Sequence, residues 1–281
     1  MRCDCHIHIV GPIGRYPQIS TRTYQAAEAP LAALKAHGVA ARGVTRFVVV
    51  QASFYGSDNT LLLESLDALA GDGRGVAVID PATPEVLLAG FARRGVRGLR
   101  LNLYSTVAGR EQRQIGSLFT PLAEIPTGMG WHVEVIAGID VLLGAADLLA
   151  RSRVPVVIDH YGLYRSATPQ SERGRALLDF FRLPNVWIKL SAPYRVSDDP
   201  LCTRPDPAWL TAIVAAAPNR CVWGSDWPHS PSHPQQGRSD LQLPYRPLSY
   251  ATLVDNFLTA LGHDAAAQAI MIDNPARLYG F

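Results

Sequence analysis

Asp4-Cys5-His6-Ile7-His8 lies almost at the start of the chain, inside a strand-like run from Arg2 to Val10. Side chains on a strand alternate between its two faces. The spacing therefore predicts that Asp4, His6 and His8 share one face, while the cysteines and isoleucines share the other. Two imidazoles on one strand face converge on a common point, where they can hold a metal ion or polarise a carbonyl oxygen.

The composition indicates a globular protein with a substantial core and a balanced charge. The chain has 281 residues, 48% of them hydrophobic, and its net charge of +2 does not indicate a nucleic acid or an anionic membrane as partner. No apolar run approaches the length of a membrane span, and the N-terminus lacks a signal-peptide pattern. Four cysteines without a CxxC pair do not indicate a disulfide framework. We therefore expect a cytoplasmic protein, and the oligomeric state, a homo-oligomer included, stays open.

Eight short apolar runs, mostly without alternation, are separated by helical segments. Strands buried on both faces have this pattern, which is typical of parallel strands covered by helices. Eight such units predict an α/β fold, a (β/α)8 barrel of the TIM type that forms a single domain over residues 1–281. A doubly wound open sheet is the alternative, although no glycine-rich phosphate loop supports it. The runs are Cys3–Val10, Thr45–Ala52, Gly75–Ile79, Val96–Leu101, Trp131–Ile136, Val154–His160, Asn185–Ser191 and Arg220–Asp226, and Ser230–Tyr245 follows as a long loop.

Polar residues end several of these runs. The C-terminal ends of barrel strands meet at one mouth, so His6, His8, His160 and Asp226 should converge there. A single histidine after a strand is more often a hydrogen-bonded core residue, but four such groups at one mouth indicate an active site. The interior polar residues have weaker interpretations: Lys189 and His132 as braces of the site, Glu134 as the neutraliser of a neighbouring cation and Asp4 as a structural group.

The same motifs resemble the amidohydrolase superfamily, within it the branch of the pyrone-dicarboxylate and sugar-acid lactonases. The resemblance covers nearly the whole chain and implies a distorted (β/α)8 barrel that hydrolyses a lactone ring. It rests on Asp4–His8, Gln51-Ala52-Ser53, Gly98–Asn102, Trp131-His132-Val133, Val157–His160, Trp187–Ser191 and Gly224–His229.

The resemblance also implies roles for individual residues. Asp226 is the general base that activates water, and His6, His8 and His160 surround the carbonyl oxygen. Arg100 and Arg195 are the candidates for binding a substrate carboxylate, because a guanidinium matches it bidentately. Residues expected to line the substrate pocket are Ser53, Tyr24 and His229.

Two departures from the pyrone lactonase pattern leave the substrate open. No clear second arginine follows Arg100, with Arg110 the nearest candidate, and Ile136 stands where a tyrosine is expected. A lactone with one carboxylate is therefore as plausible as the pyrone dicarboxylate.

The need for a metal is open as well. The pyrone lactonase is thought to work without one, so the resemblance implies no required cofactor. His6, His8, His160 and Asp226 also match the single-metal pattern of other amidohydrolases, so one zinc or manganese ion is the alternative. The competing functions are a metal-dependent decarboxylase or other hydrolase of the superfamily, and a barrel that binds a metabolite or a protein without catalysis.

Overall fold

Eight parallel strands form one sheet in which each strand pairs with the next along the chain. The computed structural model describes residues 1–104, 115–232 and 241–281. Within these, the strands are β1 Arg2–Ile7, β2 Val44–Val50, β3 Gly73–Ala77, β4 Val96–Asn102, β5 His132–Ile136, β6 Val156–Ile158, β7 Val186–Ser191 and β8 Cys221–Gly224.

The sheet closes through a single bridge beyond the last strand. Ile7 pairs in parallel with Trp227, and the backbone N–H of His8 donates to the carbonyl of Trp227 at 2.8 Å. One bridge in place of a full ladder makes the barrel nearly closed and distorted. The predicted α/β fold class, a (β/α)8 barrel of the TIM type, is confirmed.

Helices cover the outside of the sheet, and their starts follow from local sequence. The carboxylate of Asp206 accepts the N–H groups of Ala208 and Trp209, and Pro207 occupies the first helical position, which needs no N–H donor. The helices are α1 Leu31–Ala36, α2 Thr60–Ala68, α3 Glu85–Arg93, α4 Ile115–Glu124, α5 Ile139–Gly144, α6 Ala146–Ala150, α7 Glu172–Phe181, α8 Pro207–Ala216, α9 Tyr250–Leu261, α10 Asp264–Gln268 and α11 Asn274–Tyr279. In the part of the chain that the structure describes, no helix combines the length and apolar character that crossing a membrane requires.

The predicted alternation along β1 is wrong, because the strand contains a register shift. The pairing of β1 with β2 is irregular between Asp4 and Ile7, where one extra residue enters β1. Such a bulge exchanges the two faces of a strand. The side chain of Asp4 consequently points to the outside of the barrel, towards α9, where its carboxylate accepts a hydrogen bond from the hydroxyl of Tyr250 at 3.0 Å. His6 is only two positions further along the chain, yet its side chain points into the barrel, towards Lys189 and Asp159.

The long loop predicted after the eighth strand is only partly described. Gln242–Leu243 forms a short parallel pair with Gln25–Ala26, so this end of the segment is ordered by a contact that the sequence pattern does not indicate. Residues 233–240 lie outside the described part.

The end of the barrel at which the strands start is closed by the last residues of the chain. Tyr279 is fully buried in a cluster with Cys3, Cys5 and Val76. Arg74 donates to the backbone carbonyl of Tyr279 at 3.1 Å, and its guanidinium lies 4.5 Å from the ring centre of Phe281. We call this end the base and the opposite end the mouth.

Candidate active site

Three imidazole rings and one carboxylate meet at the mouth. Nε2 of His6 lies 3.3 Å from Nε2 of His8, and both atoms lie 3.5 Å from Oδ1 of Asp226. Nε2 of His160 lies 4.0 Å from the same oxygen. All four side chains are buried. The structure thus brings together the four residues that the sequence predicts as catalytic, although their catalytic role stays a prediction.

The close approach of the first and last strands depends on Gly224 in β8. A Cβ atom at this position would lie 2.6 Å from Cβ of His6 and 2.9 Å from its backbone nitrogen, closer than side-chain atoms pack. Glycine is the residue that permits such an approach. Two residues later, the N–H of Asp226 donates to the carbonyl of His6 at 2.9 Å, which holds the carboxylate beside the ring.

The backbone at the mouth carries an unusual concentration of left-handed conformations. His160, Ala192, Asp226 and His229 have φ values of 50°, 54°, 58° and 67°. Each such conformation costs a non-glycine residue on the order of 1–3 kcal/mol and persists where the surrounding structure enforces it. These residues follow three different strands, so the strain is concentrated where the predicted chemistry lies.

The second ring nitrogen of each histidine has a partner that bears on its tautomer. Nδ1 of His8 lies 2.8 Å from the carbonyl oxygen of Val50, which can only accept, so this nitrogen carries the proton in the neutral ring. Nε2 of His8 therefore presents a lone pair to the site. Nδ1 of His160 lies 2.8 Å from Oγ of Ser191, a hydroxyl that can donate or accept. His160 can accordingly present either form.

His6 has two competing partners. Its Nδ1 lies 3.2 Å from Nζ of Lys189, which donates, and 3.3 Å from Oδ1 of Asp159, which accepts. When Lys189 donates, the ring proton of the neutral His6 stays on Nε2 and points into the site. When Asp159 accepts, Nε2 presents a lone pair that can bind a cation. Burial lowers the pKa of His6 well below its ordinary value, so the ring is neutral at pH 7.

A buried cluster of opposite charges underlies these rings. Lys189 donates to Glu134, and Nζ of Lys189 lies 3.7 Å from Oδ1 of Asp159. Oδ2 of Asp159 lies 3.8 Å from Nη2 of Arg100. Burial, followed by the negative charge of Asp159, raises the pKa of Glu134 to about 7. Glu134 thus lies beside a cation, as the sequence predicts, and Lys189 lies directly beneath His6.

Asp226 is held on its other side by a tyrosine and an arginine. The Tyr194 hydroxyl donates to Oδ2 at 2.7 Å, and Arg195 approaches the same oxygen through Nε at 2.8 Å and Nη2 at 2.7 Å. Burial alone raises the pKa of a carboxyl group. The guanidinium of Arg195 and the ring of His160 nevertheless hold the pKa of Asp226 well below its ordinary value. Arg195 is predicted to bind a substrate carboxylate, but its Nε and Nη2 atoms are already paired with Asp226.

Tyr194 is a site residue to which the sequence analysis assigns no role. Its position directly before Arg195, at the end of the predicted seventh strand, is the only signal in the sequence.

A cavity of about 30 Å³ lies above the four groups and is lined by His8, His160 and Asp226. It opens towards a larger cavity of about 530 Å³. Residues that line both are Tyr24, Ser53, Phe54, Arg100 and Asn102, so three of the predicted substrate-binding residues lie at this entrance.

His229 does not line the smaller of these two cavities. Its ring is buried, at 6.2 Å from the ring of Tyr194 and nearly perpendicular to it. Burial lowers the pKa of His229 to about 4. Arg110, the nearest candidate for a second arginine, lies outside the described residues. Ile136 lines the cavity, at the position where the pyrone lactonase pattern predicts a tyrosine.

A family model described as Amidohydrolase matches residues 3–281. The chain belongs to the amidohydrolase family. It is 31% identical to a 4-sulfomuconolactone hydrolase of Rhizobium radiobacter, covering 99% of this chain and 89% of that protein. It is 30% identical to a 2-pyrone-4,6-dicarboxylate hydrolase of Comamonas testosteroni, covering 98% and 89%. A solved structure described as a putative 2-pyrone-4,6-dicarboxylic acid hydrolase from Pseudomonas putida is similar with a TM-score of 0.81 at 28% identity, covering 99% of this chain and 97% of that one. The predicted resemblance is confirmed.

The donor set of this amidohydrolase fits one divalent metal ion. Tetrahedral ligands about 2.1 Å from an ion lie about 3.4 Å from one another. Nε2 of His6, Nε2 of His8 and Oδ1 of Asp226 lie 3.3, 3.5 and 3.5 Å from one another and form one group close enough to share an ion. A second group, His6, Asp159 and His160, is also close enough to share an ion. Candidate ligands are thus present, and the proton on His6 decides whether they are available.

Proposed function

We propose that this amidohydrolase opens the ring of a carboxylated lactone by hydrolysis. The observation that carries the proposal is the meeting of three imidazoles and one carboxylate beside a cavity at the mouth. Relatives that match almost the whole chain are named as hydrolases of 4-sulfomuconolactone and of 2-pyrone-4,6-dicarboxylate. The substrate class is therefore 2-pyrone-4,6-dicarboxylate or a related lactone from aromatic degradation or from a sugar acid.

Asp226 acts as the general base. A water molecule beside Oδ1 gives a proton to the carboxylate while its oxygen attacks the lactone carbonyl carbon. The carbonyl oxygen takes up the electron pair, and the ring C–O bond then breaks. The proton held by Asp226 passes to the departing ring oxygen. One water molecule is consumed for each ester bond, and the product is an open-chain acid.

The histidines divide the remaining work according to their tautomers. His160 and His6 donate from Nε2–H to the carbonyl oxygen as it becomes negative, and donors placed for this charge lower the barrier. His8 keeps its proton on Nδ1 for Val50, so its Nε2 accepts a hydrogen bond from the water. Lys189 supports this division by donating to Nδ1 of His6.

Arg100 binds the substrate carboxylate. Nη1 donates to the carbonyl of Gln51 at 2.7 Å, which fixes the guanidinium at the entrance. Among the described residues, Nε has no hydrogen-bond partner, so the side chain retains capacity for a ligand. Ser53 and Tyr24 line the same entrance and complete the pocket.

Hydrolysis proceeds without a required cofactor in this proposal. If a zinc or manganese ion binds, His6, His8, His160 and Asp226 hold it, and the ion supplies Lewis-acid polarisation of the carbonyl.

Cys3, Cys5 and Cys221 are buried free thiols, which fits a reducing cytoplasm.

The test is a panel of lactones assayed with and without a chelator. The panel contains 2-pyrone-4,6-dicarboxylate, sugar-acid lactones and uncharged lactones. We expect turnover of a carboxylated lactone that survives the chelator. Activity that disappears with the chelator and returns with zinc or manganese would overturn the metal-free form. A folded protein that hydrolyses no member of the panel would overturn lactone hydrolysis itself.

A further inference from the structure

Lys189 is one of two lysines in a chain with 26 basic residues, and it is fully buried inside the barrel. We propose that Lys189 fixes the tautomer of His6 and thereby lowers the affinity of His6, His8 and Asp226 for a divalent metal ion. The ammonium acts through His6 and not on the substrate, so Lys189 is a positioning residue. Its benefit to catalysis rests on the proposed hydrolysis, in which Nε2–H of His6 donates to the carbonyl oxygen, whereas its effect on metal affinity needs no substrate.

The ring of His6 is aligned with Lys189 and not with Asp159. Nζ of Lys189 makes a hydrogen bond to Nδ1 of His6 at 3.2 Å. Oδ1 of Asp159 lies at nearly the same distance from Nδ1, 3.3 Å, yet among the described residues neither carboxylate oxygen of Asp159 has a hydrogen-bond partner. An imidazole nitrogen carries either one proton or one lone pair, so it serves one of these partners at a time. At Nδ1 that partner is Lys189.

An ammonium group requires the lone pair at this nitrogen. Lysine has three N–H donors and no acceptor. One N–H of Lys189 donates to Glu134, and another points to Nδ1 of His6. Asp159, the other carboxylate beside Nζ, lies 3.7 Å away, beyond hydrogen-bond distance. A proton on Nδ1 would set two donors against each other, so the neutral ring of His6 carries its proton on Nε2.

This proton occupies the position that a metal ion needs. A histidine binds a metal through the lone pair of a neutral ring. Nε2 of His6 lies 3.3 Å from Nε2 of His8 and 3.5 Å from Oδ1 of Asp226, and these three atoms are the group that could share an ion. An ion bound there requires the proton of His6 to move to Nδ1, against the ammonium. Lys189 therefore disfavours the ion and leaves Nε2–H available to an oxygen that becomes negative.

Removal of the ammonium should reverse this preference. The carboxylate of Asp159 is fully buried, and its Oδ1 is 3.3 Å from Nδ1 of His6, so it can accept Nδ1–H once Lys189 no longer donates. A carboxylate that accepts from the second nitrogen of a histidine is the usual support of a metal-binding imidazole, and such a partner changes metal affinity about 10- to 100-fold.

The first experiment is a zinc titration in competition with a chromophoric chelator. We expect Kd for zinc to be about 10- to 100-fold lower in Lys189→Met than in the wild type. The matched control is Lys35→Met, which removes the other lysine of the chain from the exposed end of α1 and should leave Kd unchanged. Lys189→Met with Glu134→Gln contains one buried unpaired charge fewer and should show the same gain, so it serves if the single variant does not fold. Adding His6→Gln should abolish the gain.

The second experiment locates the proton. Two-dimensional ¹H–¹⁵N spectra of the metal-free proteins show which ring nitrogen of His6 is protonated. We expect Nε2–H in the wild type and in Lys35→Met, and Nδ1–H in Lys189→Met.

Three results would overturn the role of Lys189. The first is a proton on Nδ1 of His6 in the wild type. The second is equal zinc affinity in the wild type and in the Lys189 variants. The third is tighter zinc binding by Lys189→Met with the tautomer of His6 unchanged, because it would report only the loss of a positive charge. Neither measurement uses a lactone, so both decide the role of Lys189 even if the protein hydrolyses none.

Discussion

The two ends of the barrel are built on opposite principles. At the base, Tyr279 and the thiols of Cys3 and Cys5 fill the interior with apolar contacts. At the mouth, ionisable side chains converge on one cavity, and left-handed backbone conformations recur around His160 and Asp226. The difference indicates that packing at the base contributes stability, while the mouth holds an arrangement that is costly for the fold and useful for chemistry.

Strand β5 crosses from one end to the other and shows the gradation. The ring of His132 lies 5.3 Å from that of Tyr279 at the base. Two residues on, Glu134 bonds to Lys189, and after two more Ile136 lines the catalytic cavity. Apolar, ionic and catalytic layers therefore follow one another along a single strand. Substitutions at the mouth should therefore mainly reduce activity, and substitutions closer to the base should mainly reduce stability.

The largest expected effect lies at the mouth. Asp226→Asn removes the proposed general base, so we expect kcat to fall about 10³- to 10⁴-fold for the lactone that is hydrolysed. Steady-state kinetics measures the loss, and circular dichroism verifies the fold. Asp179→Asn, at an exposed carboxylate of α7, is the control and should retain full activity. A loss below tenfold in Asp226→Asn would transfer the role of base to another group, with the lone pair of His8 the nearest alternative.

The ionic layer should affect stability and activity together. Lys189→Met leaves Glu134 and Asp159 without their buried cation, and we expect the free energy of unfolding to fall by about 3–5 kcal/mol. Urea denaturation measures it. Adding Glu134→Gln to this variant removes one of the uncompensated charges and should restore part of the stability. If the unfolding free energy of Lys189→Met falls by less than about 1 kcal/mol, Glu134 and Asp159 do not depend on the charge of Lys189 in the folded protein.

The base should affect stability alone. Tyr279→Ala removes a fully buried ring, so we expect a loss of about 3 kcal/mol in unfolding free energy with kcat within about twofold of the wild type. Tyr279→Phe is the matched control, because the hydroxyl has no hydrogen-bond partner among the described residues. It should be as stable as the wild type. A large fall in kcat in a folded Tyr279→Ala protein would mean that the base and the mouth are not independent.

Much of the fold at both ends can be predicted from the sequence. Runs such as Thr45–Ala52 are apolar without alternation, a pattern that only strands covered on both faces require. Eight of them with helical segments between leave few architectures. The bulge in β1 cannot be predicted in this way, because one extra residue leaves the local pattern unchanged and is visible only in the pairing with β2.

The candidate site is predictable to the extent that its residues end strands. His6, His8, His160 and Asp226 do so, and their convergence follows from the barrel alone. The partner of Arg195 could not be predicted, because the guanidinium of a loop arginine pairs equally well with a substrate carboxylate and with the carboxylate of Asp226. Arg246 follows no strand of the barrel, and the segment around it has neither a strand nor a helix periodicity. Its position at the mouth therefore could not be predicted. The sequence thus predicts which residues meet at the mouth, but it does not predict the side chains that contact them.

The smallest effect concerns the pH dependence of stability just above the base. Burial lowers the pKa of His132 to about 3, against about 6.5 in an unfolded chain. Between these values the unfolded state binds the extra proton, so this residue makes stability fall as the pH falls below about 6.5. His132→Phe should reduce the slope of unfolding free energy against pH by about 1.4 kcal/mol per pH unit between pH 6 and pH 4. Urea denaturation at several pH values measures the slope. Altered packing against Gly98 shifts the whole line without tilting it, so parallel lines for variant and wild type would show that this imidazole is not held neutral by burial.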